Sequence, residues 1–132
     1  MEGSIICDRA RMVLTSLLSL PLFRAPRVKA AREWIEKHYS VADNPGQGDA
    51  GLYYYYHAFA AALAAAKLDA VEAADGQSHD WRRDLVAELA ERQRADGSWT
   101  NTNRQWMEND PNLATAFALT ALAHCQEPPA QP

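Results

Sequence analysis

The sequence predicts an all-α fold of about five helices, stacked as helical hairpins. Apolar residues recur at helical spacing, and no segment alternates convincingly with period two. The predicted helices also alternate in kind, apolar nearly all round and then amphipathic, which favours an inner and an outer layer. Two similar units, around residues 31–53 and 86–114, add a third indication, because such repetition is typical of stacked hairpins.

Composition sets the size of the domain and excludes several classes of partner. The 132 residues are 48% hydrophobic and 23% charged, which suits one modest globular domain. The net charge of −4 gives no basic patch for nucleic acid or an anionic membrane. No run reaches the roughly 20 apolar residues of a membrane-spanning helix. We therefore expect neither nucleic acid nor a membrane span.

The cysteines and the N-terminal segment are used to predict the cellular location of the protein. Cys7 and Cys125 lie at opposite ends of the chain and form no disulfide framework, so we expect reduced thiols and a cytoplasmic location. Secretion is the alternative, because an apolar segment at residues 12–20 follows two arginines as in a signal peptide. Glu2 and Asp8 dilute the positive charge before that segment, which disfavours secretion.

The first two predicted helices are separated by prolines. The first runs from about residue 7 to residue 20, is largely apolar and ends at Pro21. The second starts at Pro26, a favoured first helical residue, and continues to about His38 as an amphipathic helix. A loop rich in glycine follows through Ala50.

The third and fourth predicted helices repeat this alternation. The third runs from about Gly51 to Leu68 and is apolar nearly all round, and residues 69–78 are expected to extend or cap it. The fourth runs from about residue 80 to residue 94. Its expected buried stripe has a spacing of four residues: Trp81, Leu85, Leu89 and Gln93.

The fifth predicted helix has a clear start. Asp110 is expected to be its N-cap and Pro111 its first residue, and the apolar body extends to Cys125. Residues 127–132 are rich in proline and are predicted to be a disordered tail. The domain is therefore predicted to cover residues 7–126.

The segment from Gln93 to Trp99 carries a resemblance to a known family. Gln93, Gly97 and Trp99 form the pattern Gln-x-x-x-Gly-x-Trp, which resembles the QW motif of squalene–hopene cyclases and related triterpene cyclases. The segments 51–59, 79–82 and 110–116 look like those of bacterial squalene-cyclase-like proteins. The resemblance covers roughly residues 7 to 126. It implies a partial α/α toroid of the terpenoid cyclase and protein prenyltransferase type, equivalent to a C-terminal portion of a complete toroid, which has more helices.

The QW-like residues are expected to be structural. Gly97 would supply the flexible residue of a helix-ending turn. The Gln93 amide could bond free main-chain groups at the helix end or lie against the Trp99 ring, whose indole N–H needs an acceptor. The motif would thereby attach an outer helix to the next inner one.

The catalytic patterns of the resembled families are missing. The cyclase acid motif is Asp-x-Asp-Asp-Thr-Ala, whereas the segment 110–116 keeps one carboxylate, Asp110, whose expected role is the N-cap. A prenyltransferase-like zinc site would need an Asp before the cysteine, which Cys125 lacks. Since adjacent helical residues point in different directions, His124 and Cys125 are a poor chelating pair. We therefore predict no catalytic residue, no metal and no cofactor in this chain.

The most unusual composition is an aromatic run in the third predicted helix. The candidates for lining a cavity are Tyr53, Tyr54, Tyr56, His57 and Phe59. Four consecutive helical residues sweep nearly a full turn, so the tyrosines cannot all face one pocket. Packing between layers is the alternative, with hydroxyl groups at the rim.

The expected function follows from the resemblance and from what is missing. The chain is expected to be a squalene-cyclase-like domain that is non-catalytic alone and binds an apolar, isoprenoid-like ligand or a protein partner. Its exposed inner face predicts self-association or a covering partner. The alternative is a fragment of an isoprenoid cyclase or prenyltransferase whose acid or metal site lies in a missing portion.

Overall fold

A computed structural model describes residues 26–126, and the described residues form a mostly helical domain. The elements, in chain order, are α1 Pro26–Lys37, α2 Leu52–Ala65, β1 Val71–Glu72, β2 Ser78–His79, α3 Trp81–Arg92, a short 3-10 helix Gln105–Met107 and α4 Pro111–Cys125. The predicted helical class is thus confirmed. The predicted helix at 7–20 and the predicted tail at 127–132 lie outside the described residues.

The chain divides into two units, with the boundary inside α1. One unit ends at Ile35 and the other begins at Glu36, so the second contains α2 to α4 and the hairpin. Within the first unit the described residues are helical, with Lys29 and Glu33 forming an exposed ion pair at 3.7 Å. Such a pair contributes little to stability.

The core of the second unit lies between α2, α3 and α4. α2 and α4 pack along much of their length, and α3 packs against α4. The fully or nearly fully buried side chains are Leu52, Tyr53, Tyr56, Phe59, Ala60 and Leu63 of α2, Trp81, Leu85 and Leu89 of α3, and Ala114, Ala118 and Ala121 of α4. The small side chains of α4 leave room for the large ones of α2. The predicted stripe on α3 is therefore buried except at its end, where Gln93 is exposed.

The prediction that the chain contains no strands is wrong for residues 71–79. β1 and β2 form an antiparallel hairpin in which Val71 pairs with His79 and Glu72 pairs with Ser78. Each strand has two residues, which is too short to produce a recognisable period-two pattern. The segment expected to extend or cap the third helix therefore forms a hairpin instead.

The helix α2 ends earlier than expected, at Ala65 rather than near Leu68. Lys67 adopts a left-handed φ of 54°, and its amide donates to the Ala64 carbonyl at 3.0 Å. The Leu68 amide donates to the Leu63 carbonyl at 3.1 Å, which completes a Schellman cap. The cap turns the chain away from the helix axis and towards the hairpin.

None of the helices within residues 26–126 combines the length and apolarity needed to cross a membrane.

Candidate functional site

The turn after α3 joins that helix to α4 through Trp99. The Trp99 indole N–H donates to the Leu89 carbonyl at 2.8 Å, and the Trp99 amide donates to the Thr115 hydroxyl at 3.0 Å. The Leu89 carbonyl belongs to the last turn of α3, where carbonyl groups have no partner within the helix. Trp99 is 3% exposed, so these hydrogen bonds are shielded from water.

Gln93 and Gly97 close the same turn. Gln93 is the C-cap residue of α3, and its side-chain amide donates to the Gly97 carbonyl at 2.9 Å. The Gly97 amide in turn donates to the Arg94 carbonyl at 2.9 Å. Gly97 has a φ of 84°, a conformation that side-chain-bearing residues rarely adopt. The three residues of the QW-like motif therefore hold the connection between two helices.

A groove of about 450 Å³ lies beside this turn. Its lining combines the turn with the start of α4: Arg94, Asp96, Ser98, Pro111, Asn112, Thr115, Ala116 and Leu119. The polar groups of the turn are engaged with one another, because the Ser98 hydroxyl donates to Asp96 at 2.6 Å and Arg94 lies 3.9 Å from the same carboxylate. This pairing gives the groove little polar capacity for a ligand.

Asp110 is the N-cap of α4. Its carboxylate accepts a hydrogen bond from the Asn112 amide at 2.9 Å, with Pro111 in the first turn. A side-chain oxygen at the N-cap satisfies a main-chain N–H group that has no partner within the helix. This geometry suits a cap.

Three of the aromatic candidates on α2 are buried. Tyr53, Tyr56 and Phe59 are 2%, 0% and 4% exposed. The Tyr56 hydroxyl donates to the Val41 carbonyl at 2.7 Å, and the Tyr53 hydroxyl reaches the Thr100 carbonyl at 3.4 Å. Burial raises the pKa of both phenols above the ordinary value. Their hydroxyl groups bind the connecting segments to α2.

Tyr54 and His57 lie on the other side of α2 and meet α4. The Tyr54 ring packs edge-on against Phe117 at a centroid distance of 5.6 Å, and His57 stacks on Phe117 at 5.8 Å. His124 approaches His57 at 6.3 Å. Tyr54 is 58% exposed, whereas the His57 Nδ1 atom is buried without a hydrogen-bond partner. Among the candidates, Tyr54 is thus the one most available to a partner.

The start of α2 is capped from a distant part of the chain. Gly51 is the N-cap residue and has no side chain to offer. The fully buried Glu108 supplies the acceptor instead, because one carboxylate oxygen accepts from the Tyr54 amide at 2.8 Å. The other oxygen accepts from the Asn101 side chain at 2.9 Å, and that side chain also donates to the Asp49 carbonyl at 2.6 Å. A negatively charged side chain is stabilising near a helix N-terminus, where the helix dipole is positive.

The two residues before Glu108 are both exposed and strained. Trp106 and Met107 have φ values of 66° and 63°, and their exposures are 67% and 69%. A Cβ atom at Gly51 would lie 3.2 Å from the Trp106 ring, so this ring rests on the start of α2, one turn before Tyr54. We use the name aromatic surface for Tyr54, His57, Trp106, Met107 and Phe117.

Sequence reasoning missed Trp106, Met107 and Glu108. Trp106 and Met107 stand inside an otherwise polar loop, and this composition could have indicated an exposed apolar site. Glu108 gave none, because its partner Tyr54 lies 54 residues away in the sequence.

Cys125 and the acidic residues of the described part of the chain are of the types that bind metal ions. Within residues 26–126, no group of three or more His, Cys, Asp or Glu side chains is arranged to hold a metal ion. Burial raises the pKa of the Cys125 thiol to about 11. The thiol is therefore protonated at neutral pH and is a poor nucleophile or ligand.

No protein-family model, curated protein or solved structure matches this chain.

Proposed function

We propose that this chain is a non-catalytic helical domain of the squalene-cyclase-like type, part of an α/α toroid, and that a second protein chain covers its aromatic surface. A second copy of the same chain is the simplest partner. The toroid assignment is supported by the Trp99 connection between an outer-type helix, α3, and an inner-type helix, α4. It is also supported by the close packing of the two apolar helices, α2 and α4.

The observation that carries the proposal is the exposure of Tyr54, Trp106 and Met107 beside the inner helices. Aromatic residues and methionine are enriched in protein interfaces. A left-handed φ at a non-glycine residue costs on the order of 1–3 kcal/mol, and such strain is concentrated at functional sites. Folding of the isolated chain gains little from two strained, exposed apolar side chains. Burial against a partner would offset the strain.

The mass of the chain in solution tests the proposal. Light scattering across the micromolar range should give a dimer or larger species, which the double variant Trp106→Ser, Met107→Ser converts to a monomer. Val86→Ser on α3 is the matched control, because Val86 is also exposed, at 43%, and lies outside the aromatic surface. It should associate like the unmodified chain. A monomeric unmodified chain that binds no apolar dye would overturn the proposal.

A ligand-binding experiment distinguishes a protein partner from an apolar small molecule as the occupant of the aromatic surface. Farnesol is a suitable isoprenoid probe, and isothermal titration calorimetry measures its binding without depending on Trp106, which the double variant removes. Saturable farnesol binding by a monomeric chain, lost in the double variant, would replace the protein partner by an isoprenoid-like ligand. Conversion of squalene or a prenyl diphosphate by the chain would contradict the non-catalytic assignment.

A further inference from the structure

His79 lies between two carboxylates that belong to different elements. Its Nε2 atom is 3.0 Å from the Asp75 carboxylate in the hairpin turn, and its Nδ1 atom is 3.3 Å from the Asp84 carboxylate on α3. His79 itself is the last residue of β2. The imidazole ring therefore connects the turn of the hairpin to the adjacent helix.

The two contacts define the protonation state that fits this geometry. A carboxylate can only accept hydrogen bonds, and a neutral imidazole has a single N–H group. Both contacts are hydrogen bonds only when both ring nitrogens carry a proton. We propose that His79 is a pH-sensitive latch, which in its imidazolium form fastens the β1–β2 turn to α3 and which releases the turn when it loses a proton.

The groups that surround the ring favour the positive charge. Tyr39 stacks on the imidazole at a centroid distance of 4.4 Å, and its hydroxyl donates to the Asp84 carboxylate at 2.7 Å. Asp80, the N-cap of α3, is the next residue after His79. On the hairpin, Asp75 faces the ring, whereas the Glu72 carboxylate accepts from the Ser78 hydroxyl. The ring thus faces carboxylates and the face of a phenol.

The pKa values of His79 and Asp75 are both shifted in the direction that favours the charged form of each side chain. The hydrogen bond to Asp75 raises the pKa of His79 above the ordinary 6.5, and Asp84 adds to the effect. The Gln77 amide and His79 together lower the pKa of the Asp75 carboxyl below 3.8. The His79 contribution is complete below pH 6.5 and is lost as the pH rises through the raised pKa. The Asp75 contribution is complete above pH 3.8 and is lost as the pH falls through the lowered pKa. The latch is therefore fully closed in mildly acidic solution.

The hairpin turn has further contacts that would persist without the latch. The Ala73 amide donates to the Gln77 carbonyl at 2.9 Å, and the Ala74 amide donates to the Glu36 carbonyl at 2.9 Å. Deprotonation of His79 should therefore loosen the turn from α3 without unfolding the hairpin. The predicted effect is local.

Nuclear magnetic resonance on the full chain tests this inference. The ring signals of His79 are followed from pH 5 to pH 9, and hydrogen exchange is measured relative to intrinsic rates for the Gln77 amide, which donates to the Asp75 carboxylate at 2.9 Å, and for the Ala73 amide, which donates to the Gln77 carbonyl within the hairpin. The His79 midpoint should lie above the midpoint of the same residue in urea. Protection of the Gln77 amide should fall with the same midpoint as the ring titration, whereas protection of the Ala73 amide should persist.

Variants separate the latch from a general effect of pH. Asp75→Asn removes one exposed carboxylate and should lower the His79 midpoint, while His79→Gln should abolish the pH dependence of turn protection. His124→Gln is the matched control, because His124 packs against His57 rather than between carboxylates, and it should leave the dependence intact. A native midpoint at or below the value in urea, or turn protection that ignores the ring titration, would overturn the inference. If His79→Gln does not fold, Asp75→Asn decides between these outcomes.

Discussion

At the scale of single residues, Lys67 carries a conformation that its side chain disfavours. It is the left-handed residue of the Schellman cap that ends α2, a position usually taken by glycine. We predict that Lys67→Gly stabilises the chain by about 0.5–1 kcal/mol, since glycine removes the left-handed penalty but has more freedom to lose on folding. Urea denaturation measures the change. Lys67→Ala is the control and should bring no gain, because alanine keeps the penalty.

The same residue explains why the end of α2 was misplaced in the sequence prediction. Glycine after a helix is the usual signal for its C-terminus, and here lysine occupies the position. The starts of helices were easier to predict, because Pro26 and Pro111 are favoured first helical residues and the N-cap side chain of Asp110 acts locally. Signals that act within one helical turn are visible in sequence.

At the scale of elements, the connection between α3 and α4 depends on Trp99. We predict that Trp99→Ala lowers the free energy of unfolding by about 3–5 kcal/mol, because it empties a buried site. Trp99→Phe should keep most of the packing and lose the hydrogen bond to Leu89, at about 1 kcal/mol. Val86→Ala is the control, because Val86 is 43% exposed and lies outside the aromatic surface, and its free energy of unfolding should change by no more than about 0.5 kcal/mol. An unchanged melting curve for Trp99→Ala would mean that the turn does not hold the helices together.

Sequence reasoning worked for this connection and failed for the hairpin. Gln93, Gly97 and Trp99 lie within seven residues, so their spacing carries the geometry of the turn. The strands Val71–Glu72 and Ser78–His79 are too short for a periodic signal. The contact of His79 with Tyr39 comes from a distant segment, which a single sequence does not reveal.

At the scale of the whole molecule, the buried carboxylate of Glu108 joins segments that are far apart in the chain. It caps α2 through the Tyr54 amide and binds Asn101, whose side chain also holds the Asp49 carbonyl. A buried charge is tolerated only when its hydrogen bonds are made, and here both oxygens have donors. The network fixes the loop before α4 against the start of α2, and it does so immediately after Trp106 and Met107.

This position leads to a prediction that connects stability with association. Glu108→Gln should destabilise the chain by about 1–3 kcal/mol. The reason is that the glutamine NH2 group would face one of the two N–H donors, Tyr54 or Asn101, that now bond to the carboxylate. It should also weaken association in light scattering, since the loop that presents Trp106 and Met107 loses its anchor. Glu91→Gln, on the exposed face of α3, is the matched control and should change neither quantity. Destabilisation with unchanged association would mean that the capped loop supports the fold without forming the interface. Unchanged stability would mean that Glu108 does not act as the cap.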